Sequence, residues 1–226
     1  MSHTTAASAR RHHVRVPVPG GTLGGDLVVP ETATGLVIFA HGSGSSRLSP
    51  RNQWVARQLE AAQLATLLFD LLTPAEEAVD ARTGELRFDV EFLAGRLVQV
   101  TDHVASGLED PGLHIGYFGA STGAAAALIA ASYRPELVRA VVSRGGRPDL
   151  AGPALAAVKA PTLLIVGGAD MEVLALNNIA LAQLRCPKEL QIVPRATHLF
   201  EEPGALEEVA RLARGWLVRH LGAGPS

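Results

Sequence analysis

From about residue 35 onward, short apolar runs alternate with stretches in which apolar residues recur every three or four positions. The segments at residues 35–40, 65–69, 113–118, 137–143, 162–166 and 189–193 have the length of strands, most of them apolar enough to be buried on both faces. Helical spacing fills the intervals. Over residues 50–63 it puts Trp54, Val55, Leu59 and Ala62 on one face, and over residues 87–107 it turns Val90, Leu93, Leu97, Val100 and Val104 inward. Further helices are predicted over residues 121–133, 150–158, 172–184 and 205–220. Such alternation predicts a mostly parallel sheet joined by right-handed crossovers, with helices on both faces. Ahead of it, residues 14–18 and 23–29 alternate apolar and polar positions around Gly20-Gly21, which predicts an antiparallel hairpin at one sheet edge. The acidic segment 70–85 has no clear period and reads as an irregular loop at a strand's carboxyl end, where open α/β sheets place ligand loops.

Length and charge narrow the picture. With 226 residues, 47% of them apolar, the chain fits one domain over residues 13–222 after a flexible, polar stretch at 1–12. A net charge of −2 and no basic run longer than Arg10-Arg11 argue against a nucleic-acid surface. The start of the chain has no apolar signal core and no run reaches membrane-spanning length, so a cytoplasmic protein without a membrane partner is expected. The one cysteine, Cys186, reads as a packing residue, and His3, His12 and His13 as solvated rather than metal ligands. Neither a metal nor a cofactor is expected.

The candidate chemistry centres on Gly119-Ala120-Ser121-Thr122-Gly123, set between an apolar strand and an alanine-rich helix. In a strand–turn–helix elbow, small residues on either side of a serine let neighbouring backbone pass closely while its hydroxyl projects into a cleft. A serine hydroxyl is a weak nucleophile at neutral pH and needs a base, which in turn needs a carboxylate. Asp170 follows the strand at 162–166, and His198 follows the strand at 189–193, so both emerge at the edge where Ser121 emerges. The alternatives are that Asp170 caps a helix and His198 is an ordinary loop histidine, with Asp149 as rival acid. His41-Gly42-Ser43 after the strand at 35–40 offers a turn whose Ser43 N–H, with that of Thr122, would receive an oxyanion. His41 reads as the holder of that loop. Arg47, Arg51 and Arg144 lie beyond strand ends; either they gather at the cleft around an anionic substrate, or they pair with Asp70, Glu76 or Glu77.

With these motifs, nearly the whole chain resembles the α/β-hydrolases of the dienelactone-hydrolase-like group, small single-domain esterases. The resemblance implies a central sheet of about eight strands without a large cap domain, cofactor-free acyl hydrolysis, and Ser121, Asp170 and His198 as catalytic residues. Dienelactone hydrolases proper carry a cysteine nucleophile where this chain has Ser121, which favours a wider carboxylesterase function on small esters or lactones. An acyltransferase or peptidase could use the same three residues, and a scaffold that only binds a small ligand or a partner would not need all three. The glycine turns lack the lysine or spacing of a phosphate or nucleotide site.

Overall fold

The computed structural model describes residues 9–107 and 113–222. One eight-stranded sheet runs through it in the order β1-β2-β4-β3-β5-β6-β7-β8. The strands are β1 (Ala9–Val18), β2 (Gly21–Pro30), β3 (Leu36–Ala40), β4 (Ala65–Phe69), β5 (Ile115–Ala120), β6 (Val138–Arg144), β7 (Thr162–Gly167) and β8 (Lys188–Val193). The first two form the expected hairpin, and β2 pairs antiparallel with β4; every other pairing is parallel. Strand β1 already begins at Ala9, so the stretch expected to be irregular through residue 12 is partly ladder. Residues 1–8, with His3, lie outside the described residues.

The described residues hold six α-helices: α1 (Pro50–Glu60), α2 (Pro74–Thr83), α3 (Val90–Gly107), α4 (Thr122–Tyr133), α5 (Met171–Gln183) and α6 (Ala205–Leu221). The segment expected to be helical near residue 150 is 3-10 turns over Pro148–Ala157, interrupted at Gly152, whose φ is 49°. Two apolar layers result. Leu93, Leu97 and Val100 of α3 and the alanines of α4 fill one face, while Val55 and Leu59 of α1 and Ala213, Trp216 and Leu217 of α6 fill the other.

Helix α2 lies within residues 70–85, where the sequence shows no clear period and predicts an irregular loop. It buries only Asp80, so no apolar stripe announced it. Its start is fixed by a capping box, in which Thr73 Oγ1 accepts from Glu76 N–H while the Glu76 carboxylate accepts from Thr73 N–H. Pro74 opens the helix and Gly84, at φ 69°, closes it. The buried Asp80 carboxylate then accepts from the Leu86 and Arg87 N–H groups and the Arg87 side chain, which ties α2 to the segment leading into α3.

The sheet order places the site. Strands leave β3 in both directions: β4 on one side, β5 and its successors on the other. Since Ala40 of β3 pairs with Gly119 of β5, the loops that follow these strands rise side by side at this switch in strand order.

Candidate active site

Ser121 stands between β5 and α4 with φ 51° and ψ −125°, a conformation that L-residues adopt only when their surroundings impose it. Those surroundings are backbone. Any Cβ on Gly123 would overlap the carbonyl oxygens of Ala40 and His41, and a Cβ on Gly42 would stand 2.9 Å from the Ser121 Cβ. Glycine is therefore required on both sides of the contact. Ser121 also ends at the N-terminus of a long buried helix, whose free N–H groups favour negative charge nearby.

Asp170 closes a tight turn after β7, with its N–H donating to the Gly167 carbonyl at 3.0 Å. It occupies the N-cap position of α5, yet its side chain makes no capping bond. Instead Oδ2 accepts from His198 Nδ1 at 2.8 Å, which disposes of the helix-cap alternative. With Nδ1 protonated toward the carboxylate, Nε2 of His198 is left as the basic nitrogen. The loop carrying His198 is anchored by the fully buried Phe200 and by the Ala169 N–H bond to the Ala196 carbonyl at 2.9 Å. Asp149, the rival acid, is occupied by Arg147 at 2.8 and 2.9 Å.

Ser121 and His198 line one open cleft of about 320 Å³, together with Ser43, Arg51, Asn52 and Arg144. Of the two N–H donors expected at an oxyanion, that of Thr122 meets no protein acceptor among the described residues, whereas that of Ser43 donates to Thr122 Oγ1 at 2.9 Å.

His41 holds the loop, as its position suggested. Its Nδ1 donates to the Gly42 carbonyl at 3.0 Å and its Nε2 accepts from Leu71 N–H at 3.1 Å. Burial pushes its pKa below the ordinary histidine value, against smaller opposing effects from the Gly42 carbonyl and from Asp70 and Glu77. The ring is thus neutral in the fold but protonated in the unfolded chain below about pH 6.5. The stability it contributes is present above that pH and lost as pH falls through the lower folded value. His41→Asn is expected to flatten this part of the pH dependence, read by urea unfolding at pH 7.5, 6 and 5. His220, shifted the same way by burial and Arg219, contributes equally to both proteins. An unchanged slope in the variant would remove His41 from the account.

The three arginines part company. Arg47 does not enter the cleft: it lines a neighbouring pocket with His41 and Ser45, and its guanidinium pairs with Asp70 and, at 3.2 Å, with Asp26. That is the loop-fixing outcome, because two carboxylates lie closer than any substrate could. Arg51 lines the cleft and reaches the exposed Glu201 at 3.0 Å. Arg144 is only 7% exposed and has no carboxylate partner among the described residues; Asn52 Oδ1 accepts from it at 3.2 Å and its Nε is buried without a partner. Burial, then the neighbouring Arg51, pulls its pKa down to about 10, so it stays cationic at neutral pH. Asn52 escaped the sequence reading although it is three residues from Val55 and seven from Leu59, on the core face of α1.

The acidic segment after β4 walls neighbouring pockets through Leu71, Leu72 and Glu77 and is absent from the Ser121 cleft. Among the described residues, no group of three or more His, Cys, Asp or Glu side chains is placed to hold a metal ion, and no helix is long and apolar enough to cross a membrane.

No family model matches the chain. The crystal structure of a dienelactone hydrolase from Anabaena variabilis superposes with a TM-score of 0.90 at 59% identity, over 94% of this chain and 98% of that one. The chain belongs to the dienelactone-hydrolase-like α/β-hydrolases. More distant members of the fold include the esterase Est1E from Butyrivibrio proteoclasticus, with 16% identity and a TM-score of 0.76 over 92% of this chain and 98% of that one, which speaks for architecture alone. Two curated relatives, from Mycobacterium tuberculosis strains CDC 1551 and H37Rv, are 58% identical over 211 residues and are provisionally named phosphoribosyl transferases. The match takes in 93% of this chain but 46% of each relative, so the chain spans about half their length.

Proposed function

We propose that the chain is a serine hydrolase that cleaves carboxylic esters or lactones of small substrates through an acyl-enzyme on Ser121. The observation that carries this reading is the His198–Asp170 bond, formed where a capping bond was available to Asp170, beside a serine held in a strained turn on the same cleft. Ser121 Oγ attacks the carbonyl carbon as His198 Nε2 takes its proton, and Asp170 stabilises the imidazolium. The tetrahedral intermediate collapses as His198 returns the proton to the departing alcohol. Water then attacks the acyl carbon, giving a proton to His198, and that proton passes to Ser121 Oγ as the acid departs. The N–H of Thr122 and the positive end of α4 favour the developing oxyanion. The transferase name of the mycobacterial relatives belongs to proteins about twice as long, of which this chain matches about half.

The open cleft suits short acyl groups. Hydrolysis of p-nitrophenyl acetate, butyrate and octanoate is the direct test, with rates expected to fall along the series and a fluorophosphonate expected to label Ser121. A chain that neither turns over these esters nor takes the label is not a serine hydrolase.

Arg144 supports a preference for substrates that carry negative charge, with Arg51 beside it. An ion-assisted hydrogen bond is worth about 1.5–3 kcal/mol, roughly 10–10²-fold in kcat/KM. Arg144→Met is therefore expected to lower kcat/KM by that factor for mono-p-nitrophenyl succinate and to spare p-nitrophenyl butyrate. Equal losses on both esters would make Arg144 a structural residue only.

A further inference from the structure

The Ser43–Thr122 contact raises a question that the backbone donors alone leave open. Ser43 N–H is the donor that an oxyanion would ordinarily use, and in this chain it is already spent on a side-chain oxygen. That oxygen, Thr122 Oγ1, belongs to a residue only 6% exposed, and its hydroxyl proton has no protein acceptor among the described residues. A hydroxyl that accepts one hydrogen bond is free to donate another, and accepting strengthens it as a donor. Thr122 directly follows Ser121 at the start of α4, and its hydroxyl is held at hydrogen-bond distance from Ser43, which lines the Ser121 cleft.

We infer that Thr122 supplies two donors to the oxyanion, its own N–H and its hydroxyl, while Ser43 N–H acts from behind by fixing and polarising that hydroxyl. The inference rests on the serine-hydrolase reading and adds a catalytic side chain to it. No proton is transferred by Thr122: the Oγ–H bond stays intact, and the hydrogen bond tightens as the carbonyl oxygen gains charge and relaxes when the alcohol leaves. Gly42 keeps the geometry tight, because the loop bearing Ser43 lies directly over the Ser121 side chain.

The opposing possibility makes the opposite prediction. If the hydroxyl merely occupies Ser43 N–H in the empty enzyme, removing it would free a donor and leave kcat unchanged or higher. The test compares wild type with Thr122→Val, which keeps the shape without the hydroxyl, and with Thr122→Ser, which keeps the hydroxyl. Loss of one oxyanion donor typically costs about 10²–10³ in kcat. On p-nitrophenyl acetate, Thr122→Val is expected to lose kcat by that factor with KM changed less than about three-fold, and Thr122→Ser to recover most of it. An alkylboronic acid, which forms a tetrahedral adduct on the serine, should weaken in parallel with kcat/KM in the valine variant. An undiminished kcat in Thr122→Val overturns the inference, as does a loss that Thr122→Ser shares or that boronate affinity does not follow. Fluorophosphonate labelling of the wild type separates the two levels: a labelled Ser121 with an unaffected valine variant removes only the Thr122 role, whereas an unlabelled, inactive wild type removes the hydrolase reading itself.

Discussion

Ser121→Ala is expected to lower kcat on p-nitrophenyl acetate by about 10⁴–10⁶ while the protein melts where the wild type does. The size of the loss follows from the division of labour proposed for the cleft. Without the nucleophile, His198 and the α4 terminus would retain only the modest acceleration that binding and oxyanion stabilisation supply on their own. Stability should not follow activity, because Ser121 makes no capping bond to α4 and alanine fits the same turn. Glycine fits it better. At φ 51° and ψ −125° an L-residue stores strain of about 1–3 kcal/mol, and glycine is relieved of it at some cost in unfolded-chain entropy. Ser121→Gly should thus be as inactive as the alanine variant yet more stable by about 1 kcal/mol, roughly 2–4 °C in melting temperature. Calorimetry on the three proteins reads the difference. A glycine variant that melts below wild type would mean the turn is not strained, and an alanine variant with appreciable turnover would move the nucleophile elsewhere.

The second large effect falls on a residue with no chemistry at all. Gly123→Ala would drive a methyl group into the carbonyl oxygens of Ala40 and His41, which are backbone and cannot swing aside. Overpacking of this kind costs about 3 kcal/mol or more. Either α4 lifts from β3, carrying Ser121 away from the His41 loop, or the sheet distorts beneath it. The expected outcome is a melting temperature lower by roughly 6–12 °C together with loss of esterase activity. Gly95→Ala in α3 and Gly215→Ala in α6 are the controls, since an added Cβ there meets nothing within 4 Å. Each should stabilise its helix by up to about 1 kcal/mol. The same substitution thus has opposite signs, decided by what lies beyond the α-carbon, and a harmless Gly123→Ala would refute the close approach.

Much of this architecture was legible in the sequence, for reasons specific to each element. Strands β3 to β7 were plain because burial, complete but for Arg139 of β6, leaves them mostly apolar. Ser121, Asp170 and His198 stand out because each follows a strand's carboxyl end, and in a parallel sheet those ends share one edge, where Ser121 and His198 line one cleft and His198 meets Asp170. Helix α2 was missed because it buries only Asp80, although its Thr73–Glu76 capping box and Gly84 stop were written in the chain. The fates of the arginines were not legible. Arg47, Arg51 and Arg144 look alike in sequence, and only tertiary contacts decide that Arg47 meets two carboxylates and Arg144 none among the described residues. The same holds for Ser43 N–H, whose partner is 79 residues away.

The alanines of α4 have a consequence of a different kind. This helix is buried on every side, and its closeness to β3, α3 and the turns over Pro148–Ala157 depends on side chains that end at Cβ. Ser121 is carried on the end of that helix, so its position is set by the packing of inert neighbours more than by any bond of its own. The tolerance of this chain to change is therefore inverted: the rim of the cleft, with the exposed Leu199, is free to drift and reshape substrate choice, while the plainest residues of the interior are held still. New specificities can arise at the rim without disturbing the helix that carries Ser121.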